Sequence, residues 1–190
     1  MYKTQSINDK NNKNVLLKYI IENAVTRGNI TLSSGKKSDL YIDMRLITLS
    51  SRGSFLISDV LFDMLKDTDF DAIGGMTMGA DPIVGSFAAV SYLKNKPVDS
   101  FIIRKESKGH GKKKRIEGPL KDGAKVVIVD DVSTTGGSIL QSIDVIEQST
   151  NCEIVKVVSL VDRLEGAGKS LAERGYDLCS IFDRNDIINY

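Results

Sequence analysis

The chain of 190 residues carries one histidine and two cysteines, Cys152 and Cys179, with no CxxC spacing. That excludes a zinc cluster, and the isolated cysteines read as reduced thiols of a cytosolic protein. No run approaches the roughly 20 apolar residues of a membrane span. The polar opening, MYKTQSINDKNNKN, has no apolar signal-peptide core. The expected location is cytoplasmic. Charge of one sign is also missing: 26 Lys and Arg against 25 Asp and Glu leave a net +1, so nothing global directs the chain to nucleic acid or an anionic membrane. Any anion site must be a local concentration of charge. There is no internal repeat, no low-complexity linker and no nucleophile–base pair for covalent catalysis. What is present is an ordinary globular composition, 41% hydrophobic and 27% charged, with length for one domain and a real core.

Residues 1 to about 13 are rich in asparagine and lysine, the composition of a frayed terminus. Val15, Leu16, Tyr19, Ile20 and Ala24 then recur at helical spacing, with Gly28 as the expected stop. Residues 29–43 alternate as strand, turn and strand, turning at Ser33, Ser34, Gly35 and Lys36. An amphipathic helix follows from Ser51 through Leu56, Val60, Met64 and Leu65. After Phe70, strands alternate with helices, which predicts βαβ units on a parallel sheet. Strands are expected at 70–74, 100–104, 154–161 and 178–182, and helices at 82–94 and 168–174. Gly166-Ala167-Gly168-Lys169-Ser170 imitates the end of a P-loop, but Arg163 stands where that motif needs its first glycine.

The centre of the chain is the stretch KVVIVDDVSTTGGSI, residues 125–139. Its β-branched run reads as a buried parallel strand that ends in Asp130 and Asp131. Val132, three hydroxyls (Ser133, Thr134, Thr135), Gly136, Gly137 and Ser138 lead into a helical pattern at Ile139, Ile143 and Ile146. Hydroxyls and glycines at a helix N-terminus offer unpaired N–H groups, a seat for phosphate. The aspartates repel phosphate and suit instead the vicinal hydroxyls of a ribose, or a hydrated divalent cation. The stretch asks for a ribose 5-phosphate. The order of its parts resembles the phosphoribosyl-diphosphate (PRPP) signature of type I phosphoribosyltransferases, against a plainer reading as turn and cap composition.

A second segment runs Arg104-Lys105-Glu106-Ser107-Lys108-Gly109-His110-Gly111-Lys112-Lys113-Lys114-Arg115. It is long for a connection within a domain and dense in cations. With no aromatic on which a base could stack, it reads poorly as a nucleic-acid patch and better as a flexible lid over residues 104–118. The only histidine sits among lysines, whose like charge disfavours its protonated form and frees it for proton exchange.

Three segments, in order, are similar to orotate phosphoribosyltransferases: LSSGKKSDLYIDMR, the basic run ending Ile116-Glu117-Gly118, and Asp162-Arg163-Leu164-Glu165-Gly166. The resemblance implies a single α/β domain, a parallel sheet flanked by helices, with a small N-terminal hood over about 1–45 and the core over about 50–190. It implies that Ser133 to Ser138 hold the 5-phosphate and that Asp130 and Asp131 hold the ribose hydroxyls. Arg104, Lys105, Lys108 and His110 would close over the diphosphate, partly in the partner's site of a homodimer. Thr134 and Arg163 would recognise orotate, with Tyr41 and Ile42 flanking its ring. Magnesium would come as the cofactor, held mainly by PRPP. Arg163 makes independent sense, since a guanidinium pairs a carboxylate through a bidentate fork.

Two cations of the familiar bacterial pattern are absent. Ser33 stands in place of a lysine in the N-terminal turn, for which Lys36 or Lys37 would substitute. Met78 and Gly79 stand in place of an aromatic–lysine pair in the diphosphate loop, where backbone amides at the start of the next helix would serve. The implied reaction joins orotate to PRPP, giving orotidine 5′-monophosphate and diphosphate. The rival readings are a phosphoribosyltransferase for another base, which Arg163 and Thr134 argue against, and a non-catalytic PRPP-sensing regulator, which would lack the lid cations.

Overall fold

The structure is a computed structural model that describes residues 9–31, 37–106 and 115–190. Helix α1 (Asp9–Ala24) leads into a two-stranded antiparallel hairpin, β1 (Val25–Thr31) and β2 (Lys37–Ile42). A short α2 (Arg45–Thr48) and α3 (Ser51–Leu65) complete the N-terminal part. The core then runs β3 (Ala72–Met76), α4 (Asp81–Leu93), β4 (Asp99–Ile103), β5 (Ile116–Glu117), β6 (Lys125–Ser133), α5 (Gly137–Ser149), β7 (Glu153–Asp162), α6 (Ala167–Ala172), β8 (Leu178–Asp183) and α7 (Arg184–Ile188).

Six of these strands form one sheet in the order β5-β4-β3-β6-β7-β8, parallel except for the β4–β5 pair. Strand β6 shows why the sheet lies between two helical layers. Val127 and Val129 pack into one cluster with Leu16, Ile57 and Phe87, whereas Val126 and Ile128 pack into another with Ile139, Ile143 and Leu171. All four are fully buried, and side chains of this size contribute about 1.5–3 kcal/mol each when removed from water. The expected α/β fold with a parallel sheet, flanking helices and an N-terminal hood is the fold of the chain.

Several boundaries differ from expectation. Helix α1 starts by Asp9 and ends at Ala24, so Gly28 is no helix stop. It lies in β1 at φ +132, where the register with β2 shifts between Arg27 and Ile30. A glycine relieves a backbone that L side chains resist. Phe70 precedes β3 and tilts against Phe87 at 6.3 Å between ring centroids. Strand β6 does not stop at Val129: its ladder with β7 continues through Asp130↔Ser159, Val132↔Val161 and Ser133↔Asp162. The aspartates sit inside the strand, held by sheet hydrogen bonds. Elements α2, β5 and α7 are too short to show a period. Helix α3 begins as read, with Ser50 as N-cap accepting from the Gly53 N–H at 3.0 Å, a contact worth about 1 kcal/mol. The turn at 33–36 falls outside the described residues.

The hood is tied down by specific bonds. Arg27 donates to the Ile187 carbonyl at 2.9 Å, and the Asp43 N–H to the Ala24 carbonyl at 2.9 Å. Arg184 donates to both carboxylate oxygens of Asp39 at 2.9 and 2.8 Å. Beneath the hood Asp59, a buried carboxylate, takes Asn12 Nδ2 at 2.6 Å and Lys94 Nζ at 2.6 Å, the pairing that a buried charge requires.

Candidate active site

Strand β3 connects to β4 on one side of the sheet, whereas β6 leads to β7 and β8 on the other. The carboxyl ends of β3 and β6 therefore face the crevice where strand order reverses, the usual ligand position in an open α/β sheet. Three loops converge there.

The first carries the aspartates. Asp130 is 8% exposed, and burial, followed by the neighbouring Asp131 charge, pushes its pKa up to about 7. The Asp131 backbone N–H and the Lys105 charge pull the other way. Asp131 is also raised, chiefly by burial, against the Val132 N–H that donates to its Oδ1 at 2.8 Å and the charge of Arg45. Two crowded carboxylates resist ionising together. They are suited to hydroxyl or water donors that favour the charged form.

The second loop follows β3. Its Thr77–Met78 peptide is cis. A methyl group at Gly79 would sit 2.7 Å from Asp131 Oδ1 and 3.1 Å from Asp130 Oδ1, so this turn lies against the carboxylate pair and a larger residue would push on those carboxylates. Met78 is 71% exposed. The expected diphosphate loop and ribose carboxylates are thus brought together.

The third feature is the anion seat. Gly136 takes φ +84 as N-cap of α5, and no side chain caps that helix. The first-turn N–H groups of Gly137, Ser138 and Ile139 have no intrahelical acceptor by geometry, and Thr135, Gly137 and Ser138 are exposed. Ser133 differs from its neighbours. It is 1% exposed, its hydroxyl donates to Asp162 Oδ1 at 3.2 Å, and its N–H donates to Ser159 Oγ at 3.1 Å. The Ser133 side chain therefore braces the loop, leaving Thr134, Thr135, Ser138 and the helix amides to face an anion. The loop is stitched to the end of β7 as well: the Arg163 N–H donates to the Ser133 carbonyl and the Ala167 N–H to the Thr134 carbonyl, both at 2.9 Å.

Arg163 comes to the same end of the sheet, 8% exposed, with Nη2 2.7 Å from Glu165 Oε1. It also helps hold Asp39 below the usual carboxylate range, after the larger effect of Arg184. Tyr41 is partly exposed on β2, whereas Ile42, 7% exposed, points into the core with Leu16 and Ile20. The alternation of a strand cannot send both side chains to one ligand, so Ile42 can flank a ring only through its backbone. Lys37 is exposed at the start of β2; Lys36, Lys108 and His110 lie outside the described residues. Arg104 Nη1 stands 3.8 Å from Glu117 Oε1, and Lys105 is close enough for its charge to act on Asp130.

One pair escaped the sequence reading. Arg45 holds Asp43 with Nε–Oδ1 at 2.8 Å and Nη2–Oδ2 at 2.9 Å, and it interacts with Tyr41 and Asp131. Its only sequence signal was the Asp-x-Arg spacing at the end of the hairpin.

Comparison with known proteins gives the chain's family. Residues 53–181 match the family model described as Phosphoribosyl transferase domain. An orotate phosphoribosyltransferase of Streptomyces coelicolor is 42% identical over 158 residues, 83% of this chain and 86% of that protein. Among solved structures, Mycobacterium tuberculosis H37Rv orotate phosphoribosyltransferase in complex with Fe(III) dicitrate superposes with a TM-score of 0.81 at 34% identity, covering 93% of this chain and 98% of that one. The same enzyme in complex with PRPP gives 0.78 at 32% identity, with the same coverage.

Proposed function

The chain belongs to the phosphoribosyl transferase family and, within it, to the orotate phosphoribosyltransferases, and from that premise we propose how its crevice performs the reaction. The enzyme transfers the 5-phosphoribosyl group of PRPP to orotate, a step of pyrimidine nucleotide biosynthesis. The bond from the anomeric carbon to the diphosphate oxygen breaks, a bond from that carbon to the ring nitrogen forms as the nitrogen gives up its proton to solvent or the departing diphosphate, and diphosphate leaves with the electron pair. Positive charge develops on the ribose as this happens, so the site must stabilise two opposite charges close together.

The 5-phosphate takes the amides of Gly136, Gly137 and Ser138 and the hydroxyls of Thr134 and Thr135. The ribose hydroxyls donate to Asp130 and Asp131, and the amides around Gly79 face the diphosphate. Arg104 and Lys105, with Lys108 and His110, neutralise the leaving group. Arg163 takes the orotate carboxylate beside Glu165, with Tyr41 against the ring. Fixing both reactants in one crevice can supply about 7–11 kcal/mol of the barrier. The single observation that carries the reading is the contact between the Gly79 turn and the Asp130–Asp131 pair, beside an uncapped helix N-terminus.

Magnesium fits as a passenger of the substrate. The ion would be held mainly by PRPP, where it would supply positive charge to the diphosphate. No described helix is long and apolar enough to cross a membrane, and we place the enzyme in the cytoplasm; fractionation with membranes would contradict that. We also propose a homodimer, supported by the exposed Leu46, Leu49 and Phe55 along α2 and α3; sedimentation at the mass of one chain would remove it. The activity test is loss of orotate absorbance on adding PRPP and magnesium, with stoichiometric diphosphate. A protein that consumes PRPP with another base but leaves orotate untouched would overturn the substrate assignment.

A further inference from the structure

Arg115 stands immediately before β5 and belongs to none of the substrate contacts above. Its carbonyl accepts from the Arg104 N–H at 2.8 Å, and its guanidinium turns back on the same segment. Nε donates to the Arg104 carbonyl at 3.1 Å and Nη2 to the Lys105 carbonyl at 3.0 Å. Two neighbouring contacts among the described residues hold this segment only weakly. Strand β5 pairs with β4 only at Ile102↔Glu117 and Ile103↔Ile116, and a two-residue edge strand is a weak register lock. The Arg104–Glu117 pair is long, at 3.8 Å, with side chains 42% and 39% exposed, and such pairs contribute little. Lys105, the residue whose carbonyl Arg115 holds, acts on Asp130 through its charge.

We propose that Arg115 is a positioning residue for PRPP: by gripping the Arg104 and Lys105 carbonyls it fixes the backbone from which both side chains reach the leaving diphosphate. Arginine suits this task because its planar fork reaches two successive carbonyls, whereas a lysine ammonium is a point donor on a flexible stem. The proposal rests on the reading of Lys105 as a PRPP contact, and the experiment separates the two.

PRPP with magnesium is titrated calorimetrically, without orotate, into the wild type and into the Arg115→Ala, Arg115→Lys, Lys105→Ala and doubly substituted (R115A/K105A) proteins. Arg115→Ala is expected to weaken PRPP binding about 5–10-fold, the scale of one or two ordinary hydrogen bonds, while the KM for orotate stays within about twofold. Arg115→Lys should recover part of the loss. The double variant should lose clearly less than the sum of the two single losses, since Arg115 acts in part through Lys105. A Lys105→Ala protein that binds PRPP like the wild type overturns the reading of Lys105 and this proposal with it. Weak binding by Lys105→Ala with unchanged binding by Arg115→Ala, or losses that add in the double variant, overturns the role of Arg115 alone.

Discussion

Two walls of the crevice are built from different material. The wall at the end of β6 is backbone: the Ser133 N–H is committed to Ser159 of β7 and its carbonyl to Arg163 just beyond, the Thr134 carbonyl is bonded to Ala167, and the first turn of α5 presents its amides. The adjoining wall is side chain, and its charges come already paired: Arg163 with Glu165, Asp39 with Arg184, Arg45 with Asp43. A fixed arc of amides suits a phosphate that is the same in every turnover, because nothing has to reorganise as it binds. A wall of paired charges suits selection. An incoming carboxylate can share or replace the partner that Arg163 holds, and a substrate without one leaves that pairing undisturbed.

The strongest way to break this contrast is at the aspartates. Asp131→Asn removes a charged acceptor from the ribose, and charge-assisted hydrogen bonds are worth about 1.5–3 kcal/mol, so PRPP affinity by calorimetry should fall roughly 10-fold or more. Unchanged affinity would detach the carboxylate from the sugar. A smaller effect of opposite sign is expected in the stability of the Asp130→Asn protein. Because burial and Asp131 raise the folded-state pKa of Asp130 to about 7, the folded chain binds a proton there more tightly than the unfolded chain does. This group therefore opposes folding increasingly as the pH rises from about 4 to about 7, and fully above that. Asparagine removes the opposition, although burying an amide in its place costs part of the gain, leaving about 1 kcal/mol or 2–4 °C in melting midpoint. The midpoint of Asp130→Asn should exceed that of the wild type at pH 8, and the gap should close toward pH 4. A gap independent of pH would mean that Asp130 is not held in this environment.

The backbone wall was the more legible of the two. A β-branched run, two carboxylates, hydroxyls and glycines before a helical period are local features, and the chain folds them next to one another. Even there hydropathy misplaced a boundary, since Asp130 and Asp131 end the apolar run but not the ladder with β7. The Ser133 hydroxyl looked like one more phosphate donor until its partner Asp162, far along the chain, came beside it. The side-chain wall was less legible because its parts come from distant segments: Asp39 meets Arg184 across the chain, and the Arg45 charge reaches Asp131. Tyr41 and Ile42 could have been separated in advance, because adjacent strand residues face opposite ways. Arg115 gave no signal, as one cation among many in its run, since its contacts are to carbonyls that every residue carries.

The division of labour is tested most directly by measuring both substrates on one variant of the side-chain wall. PRPP with magnesium is titrated into the Arg163→Ala protein, and the KM for orotate is determined on the same preparation. The expected result is a PRPP affinity within about twofold of the wild type and an orotate KM raised roughly 10-fold or more, the scale of a lost charge-assisted pair. Equal losses for PRPP and orotate would contradict it, making Arg163 a brace for the whole crevice rather than the reader of the ring carboxylate.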